Sequence, residues 1–136
     1  MKRSWNTQFK RKPKELRTDA AGITHDSVEE MERWNQLQLL QRTGRIRNLR
    51  RQVRYLLEKK EANVAIRTKT GRVAAYTADF VYERVATPEE GQLALKEGWV
   101  EIIEDHKGFP DKFSQFRIAV FEALYGVQVY IHRRGK

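Results

Sequence analysis

The sequence predicts an α/β or α+β domain, one β-sheet with helices laid against it. Three observations predict it: a capped helical stretch after residue 26, β-rich runs between residues 49 and 106, and an amphipathic helix followed by a last strand.

The elements follow in order. Residues 1–22 read as a basic, flexible N-terminal arm, and residues 23–136 as the folded domain. Lys2, Arg3, Lys10, Arg11, Lys12 and Lys14 fall within the first fourteen positions with no acid among them. Trp5 and Phe9 interrupt the run and could stack on bases or on a partner subunit. In "HDSVEEMERWNQLQLLQRTG", Ser27 is placed to cap a helix and Glu30 stands at the capping-box position. Met31, Trp34, Leu37 and Leu40 recur at helical spacing, and Gly44 ends the helix. "RIRNLRRQVRYLL" reads either way, because Ile46, Leu49, Val53 and Leu56 suit a helix while Leu49, Val53, Tyr55 and Leu57 alternate. A strand from about Leu49 to Leu57 is the expectation. Two β-rich runs then flank Lys69-Thr70-Gly71, a hairpin signal. Thr87 and Pro88 open a short inserted helix that Gly98 closes. A strand from Trp99 to about His106 follows. "PDKFSQFRIAVFEALYG" is an amphipathic helix with Phe113, Phe116, Val120 and Leu124 as its core stripe, and "VQVYIHR" is the closing strand.

Composition narrows the function. A formal net charge of +9 and a pI near 10.0 favour a polyanionic partner, nucleic acid ahead of a membrane surface. No stretch approaches the ~20 apolar residues of a membrane span. No apolar run follows the basic N-terminus, so the expected location is the cytoplasm, that of the host cell if a phage encodes the chain. Absence of cysteine excludes disulfides, zinc fingers and cysteine nucleophiles. With only three scattered histidines, any metal would be held by oxygen.

Asp79 interrupts the otherwise apolar strand "YTADFVY", where an unpaired carboxylate costs on the order of several kcal/mol. In "IIEDHKGF", alternation puts Asp105 and Lys107 on one face and Glu104 on the other. If the two strands are neighbours, Asp79, Asp105 and Lys107 converge at one end of the sheet. Two carboxylates suit a hard cation, Mg²⁺ or Mn²⁺, and a lysine beside them can orient a water or offset phosphate charge. The bland alternative is a structural ion pair. Arg45, Arg47, Arg50, Arg51 and Arg54 form a cluster suited to tracking a phosphate backbone.

An acid on a helix, an acid on a strand and then acid-x-lysine on the next strand resembles the PD-(D/E)XK nuclease superfamily. "DSVEEMERWNQLQLLQRTGRIRNLRRQ", "YTADFVY" and "EDHKGF" are similar to short phage-associated nucleases of that superfamily related to Holliday junction resolvases. The resemblance spans residues 23–131. It implies a mixed central sheet flanked by helices, a restriction-endonuclease-like core. It also implies Mg²⁺- or Mn²⁺-dependent cutting of DNA, with branched four-way junctions as substrate and a homodimer as the working form. Position by position, Asp79 takes the PD aspartate, with Ala78 where the pattern has proline. Asp105 takes the (D/E) place, Lys107 the lysine and Glu30 the helix acid. Asp79, Asp105 and Glu30 would then be metal ligands. Gln52 matches a glutamine of the phage family, and with Lys10, Arg11, Lys12 and the arginine cluster it is expected on the DNA side. Two readings of Glu30 stay open, cap and helix acid. Other functions stay open too: a nicking or restriction-like nuclease, and a nucleic-acid-binding protein without catalysis.

Overall fold

The computed structural model of the chain describes residues 11–93, 98–107 and 111–133. Helix α1 spans Val28–Arg42, and strand β1, Ile46–Leu56, follows it. Two short strands, β2 (Glu58–Lys59) and β3 (Val64–Ala65), pair with each other. Strands β4 (Ala75–Val85) and β5 (Trp99–Lys107), helix α2 (Lys112–Tyr125) and strand β6 (Val129–Arg133) complete the order. The central sheet has four strands in the order β1-β4-β5-β6. Its β1/β4 and β4/β5 pairs are antiparallel and β5/β6 is parallel, so the sheet is mixed and the fold is α/β.

Local rules account for the helix ends. Ser27 Oγ accepts from the Glu30 N–H at 3.0 Å, and Glu30 Oε2 reaches back to accept from the Asp26 N–H at 3.0 Å. Gly44 adopts φ +81°, a left-handed turn that glycine makes without strain and that delivers the chain to β1. Asp111 caps α2 through the Ser114 N–H at 2.7 Å, and Gly126 ends it at φ +66°. Before α1, residues 14–25 form a hydrogen-bonded loop: the Asp19 carboxylate accepts from the Ala21 and Ile23 N–H groups and bonds the His25 ring.

One helix covers each face of the sheet. Trp34 and Leu37 of α1 pack on Ile46, Phe80, Tyr82 and Ile102, with the Trp34 and Phe80 rings stacked 5.9 Å apart. Ile118 and Phe121 of α2 pack on Leu57, Tyr76, Ala78, Val81 and Ile103. Strands β1 and β4 take part in both layers. In β1, Ile46 and Leu49 lie in the α1 layer but Val53 and Tyr55 in the α2 layer. In β4, Phe80 and Tyr82 lie under α1 but Tyr76 and Ala78 under α2. Strict alternation cannot produce this, since residues an even number apart share a face. The phase slips twice in β1, at the Asn48 bulge between Arg47 and Arg50 and again at Gln52, and once in β4, at Asp79.

Three expectations are corrected and one is refined. Strand β1 starts at Ile46, not Leu49, because Ile46 is itself buried under α1 and the turn at Gly44 sets the chain extended at once. The run before Lys69-Thr70-Gly71 yields only β3 and an isolated Arg67–Val73 bridge, while β4 pairs with β1 instead. Over its described part, Pro88–Leu93, the inserted helix is of the 3-10 type. Phe113 and Phe116 are 85% and 71% exposed; the buried stripe of α2 runs through Ile118 and Phe121.

Candidate active site

The register of β1 on β4 places Gln52 and Asp79 opposite each other. The register pairs Arg51 with Phe80 and Val53 with Ala78, and the pair between them is missing from the ladder. Gln52 sits at φ +52°, a conformation that costs a non-glycine residue roughly 1–2 kcal/mol. Strain of this kind in mid-strand gathers at functional sites. The Gln52 side-chain amide donates to Asp79 Oδ1 at 3.3 Å, and the His106 backbone N–H donates to Asp79 Oδ2 at 2.7 Å. Asp79 is thus fixed between β1 and β5 at the point where its own strand changes faces.

Two further acids meet it there. Glu30, buried at the start of α1, and Asp105, fully buried on β5, both interact with the Asp79 carboxyl. Burial pushes the Asp79 carboxyl up to about 6, and the Glu30 charge adds to the rise; hydrogen bonding to Asp105 and to the His106 N–H works against it. Asp105 Oδ2 accepts from the Tyr76 hydroxyl at 3.0 Å. Tyr76 keeps its proton, because burial first and the Asp105 charge second raise its pKa far above any working pH. His25 lies beyond Glu30, its Nδ1 3.9 Å from Oε2.

The expected helix acid, PD aspartate and (D/E) residue are therefore together. Glu30 fills both readings at once: it caps α1 and faces Asp79. Lys107 ends β5 opposite Arg133 in the β5/β6 ladder, and its side chain lies outside the described residues, as does Lys10. Glu104 takes the other face, as alternation requires. The Arg33 Nε and Nη2 grip its carboxylate at 2.6 and 3.0 Å and the Tyr82 hydroxyl donates at 2.7 Å. The His106 and His132 rings lie 5.0 Å apart and tilted, and burial, then the neighbouring ring, lowers the His106 pKa.

The donor set is chemically that of a hard cation: three carboxylates, all oxygen, drawn from α1, β4 and β5. The Gln52 and His106 donors to Asp79 are neutral, so a divalent ion would offset the burial and the Glu30 charge that raise its pKa. Among the described residues no group of three or more acids or histidines stands shaped to hold a metal. Asp79 divides its oxygens between Gln52 and His106, while Glu30 Oε2 accepts from the Asp26 N–H and Asp105 Oδ2 from the Tyr76 hydroxyl.

The arginine cluster divides in two. Arg45, Arg50 and Arg54 are exposed and Arg51 is half-buried. Arg47 pairs with Glu83 at 2.6 Å and lies 4.4 Å above the Trp99 ring, so part of the cluster is tied down within the fold. Arg50 pairs at 3.4 Å with Glu101, both well exposed, a bond of little weight. Arg11 and Lys12 are exposed. No described helix is long and apolar enough to cross a membrane.

Sequence reasoning missed the Tyr76 hydroxyl on Asp105. It also missed Arg33, which stands 71 positions from Glu104 with no local signal to join them. No curated protein and no solved structure matches the chain. A family model described as "Protein of unknown function (DUF1064)" matches residues 9–132. That span covers nearly the whole sequence, and the chain belongs to the DUF1064 family.

Proposed function

We propose that the chain is a divalent-metal-dependent DNA endonuclease with a restriction-endonuclease-like core, acting on branched DNA as a homodimer. One observation carries the reading: Glu30, Asp79 and Asp105, 75 positions apart from first to last, are buried at a single point where two strands interrupt their ladder. A fold gains no stability from crowding three acids together, so a cationic or phosphate-linked task accounts for them better than packing does. Mg²⁺ or Mn²⁺ held there would polarise a phosphodiester and lower the pKa of a bound water. In that reading Gln52 and the His106 N–H orient Asp79, Tyr76 orients Asp105, and Lys107 offsets charge on a phosphate oxygen. Arg45, Arg50 and Arg54 would neutralise the backbone of the bound strand.

A junction-resolving enzyme must make two symmetric cuts, and one chain offers one constellation. A two-fold dimer supplies the second at a fixed separation. Sedimentation should then give about twice the 16.1 kDa chain mass. The functional test is hydrolysis of an end-labelled four-way junction in Mg²⁺, set beside a linear duplex of the same sequence. Preferential cutting of the junction supports the proposal. Equal cutting of both supports a nicking nuclease instead, and binding without cutting supports a nucleic-acid-binding protein.

A further inference from the structure

α1 covers only part of its face of the sheet. Beyond it, over β5 and β6, a cleft of about 360 Å³ opens, lined by Arg33, Tyr82, Arg84, Glu104, Tyr130 and His132 among others. The cleft opens on the face of β5 that carries Glu104, opposite to that of Asp105, and its link to the carboxylates is through α1, where Arg33 is one helical turn beyond Glu30. Its chemistry is specific. The Arg33 guanidinium is spoken for by Glu104 and Gln36, and Arg84 by Glu90 at 2.8 and 2.9 Å. Each arginine is neutralised by its own glutamate, so the cleft is electrically balanced, unlike the chain as a whole. A phosphate could claim either guanidinium only by stranding the carboxylate it now holds, and Glu104 is buried. What remains on offer is flat: guanidinium planes held along their edges, Tyr130, which is 44% exposed, and the His132 ring, tilted against His106.

We propose that this cleft is a stacking pocket for an unpaired nucleobase next to the phosphodiester held at the carboxylates. The inference rests on the nuclease reading for its ligand, DNA, and gives that reading its substrate class. A base inside a continuous duplex is already paired and stacked and cannot enter. A base at a fork or an open junction can, and aromatic and guanidinium planes receive it without regard to sequence.

The test uses the full chain with chelator present, so that binding is read without cutting. The probe is a forked duplex carrying 2-aminopurine at its first unpaired position, beside a fully paired duplex with the same base. Binding to the fork should quench the fluorescence, whereas binding to the duplex should not. Tyr130→Ala should abolish the quench and weaken fork binding roughly tenfold, the size of one lost base–aromatic stack. Duplex affinity should stay within about twofold, and Tyr130→Phe should behave as wild type. Unchanged fluorescence on wild-type binding would overturn the pocket, as would equal losses on fork and duplex. Because no cutting is involved, quenching in a protein that never cleaves in Mg²⁺ would discard the nuclease and keep the pocket. Cleavage without quenching would do the reverse.

Discussion

The Gln52 amide meets the Asp79 carboxylate at 3.3 Å, at the one level where β1 and β4 both exchange the helix they pack against. The strand slip that costs Gln52 its normal backbone angle also turns Asp79 out of the apolar layers and toward Glu30 and Asp105. Fold and site meet in that pair.

A substitution series at Gln52 separates strain from function. Glycine at φ +52° escapes the left-handed penalty of roughly 1–2 kcal/mol that alanine retains, against an entropy cost of about 0.5–1 kcal/mol. Gln52→Gly should therefore be more stable than Gln52→Ala, by up to about 1 kcal/mol in urea denaturation, the reverse of the usual order. Both should lose cleavage roughly tenfold through a poorly held Asp79.

The Asp79 carboxyl gives a pH signature in metal-free protein. Its pKa rises from the ordinary 3.8 to about 6, so the folded chain holds the proton more tightly than the unfolded one. Stability from this group is present below about pH 4 and is lost as pH rises through about 6, on the order of 2–3 kcal/mol in all. Asp79→Asn should remove that slope from the difference curve, and a divalent cation should reverse it by favouring the ionised form. A wild-type profile that rises over this window as steeply as that of the Asn variant would contradict the assignment.

Adjacent acids on β5 should part company. Removing Arg33 strands the buried Glu104 carboxylate, so Arg33→Ala should cost about 3–5 kcal/mol in chemical denaturation. Asp105→Asn removes charge from a crowded site and should cost far less than Arg33→Ala. Losses of equal size would mean that Asp105, like Glu104, serves the fold.

Helix caps, Gly44 and the strand–helix–strand order at the C-terminus were legible because each is decided by residues a few positions apart. Phe113 and Phe116 were misread for a physical reason. Apolar residues at 113, 116, 118, 120, 121 and 124 allow two helical stripes, and only the sheet beneath selects Ile118 and Phe121. Asp79 could be singled out because an acid in an apolar strand needs an explanation, Asp105 because it shares a strand face with Lys107, and Glu30 only through its capping-box position and the family resemblance. The role of Gln52 could not be read in the same way. Nothing in a glutamine announces a left-handed backbone, and the slip that demands it comes from two cores competing for one pair of strands.

Salt should weaken DNA binding steeply, with a log–log slope of roughly −0.9 for each phosphate neutralised on duplex. Neutralising the exposed Arg45 and Arg54 should flatten that slope by about two contacts' worth. Neutralising Arg47, which is held by Glu83 and Trp99, should change it less. A slope unchanged by the first pair would move the DNA surface away from β1.

The central claim is that Glu30, Asp79 and Asp105 form one cation-dependent hydrolytic centre. Its most direct test is single-turnover cleavage of a labelled four-way junction in Mg²⁺ by wild type, Asp79→Asn and Asp105→Asn, with junction affinity measured on the same preparations. Wild type should cut only when the cation is present, and each variant should bind the junction at least as tightly while its cutting falls by about a thousandfold or more, on the order of 4 kcal/mol of transition-state stabilisation. Cleavage by Asp105→Asn at the wild-type rate, or wild-type cleavage undiminished in chelator, would contradict the account.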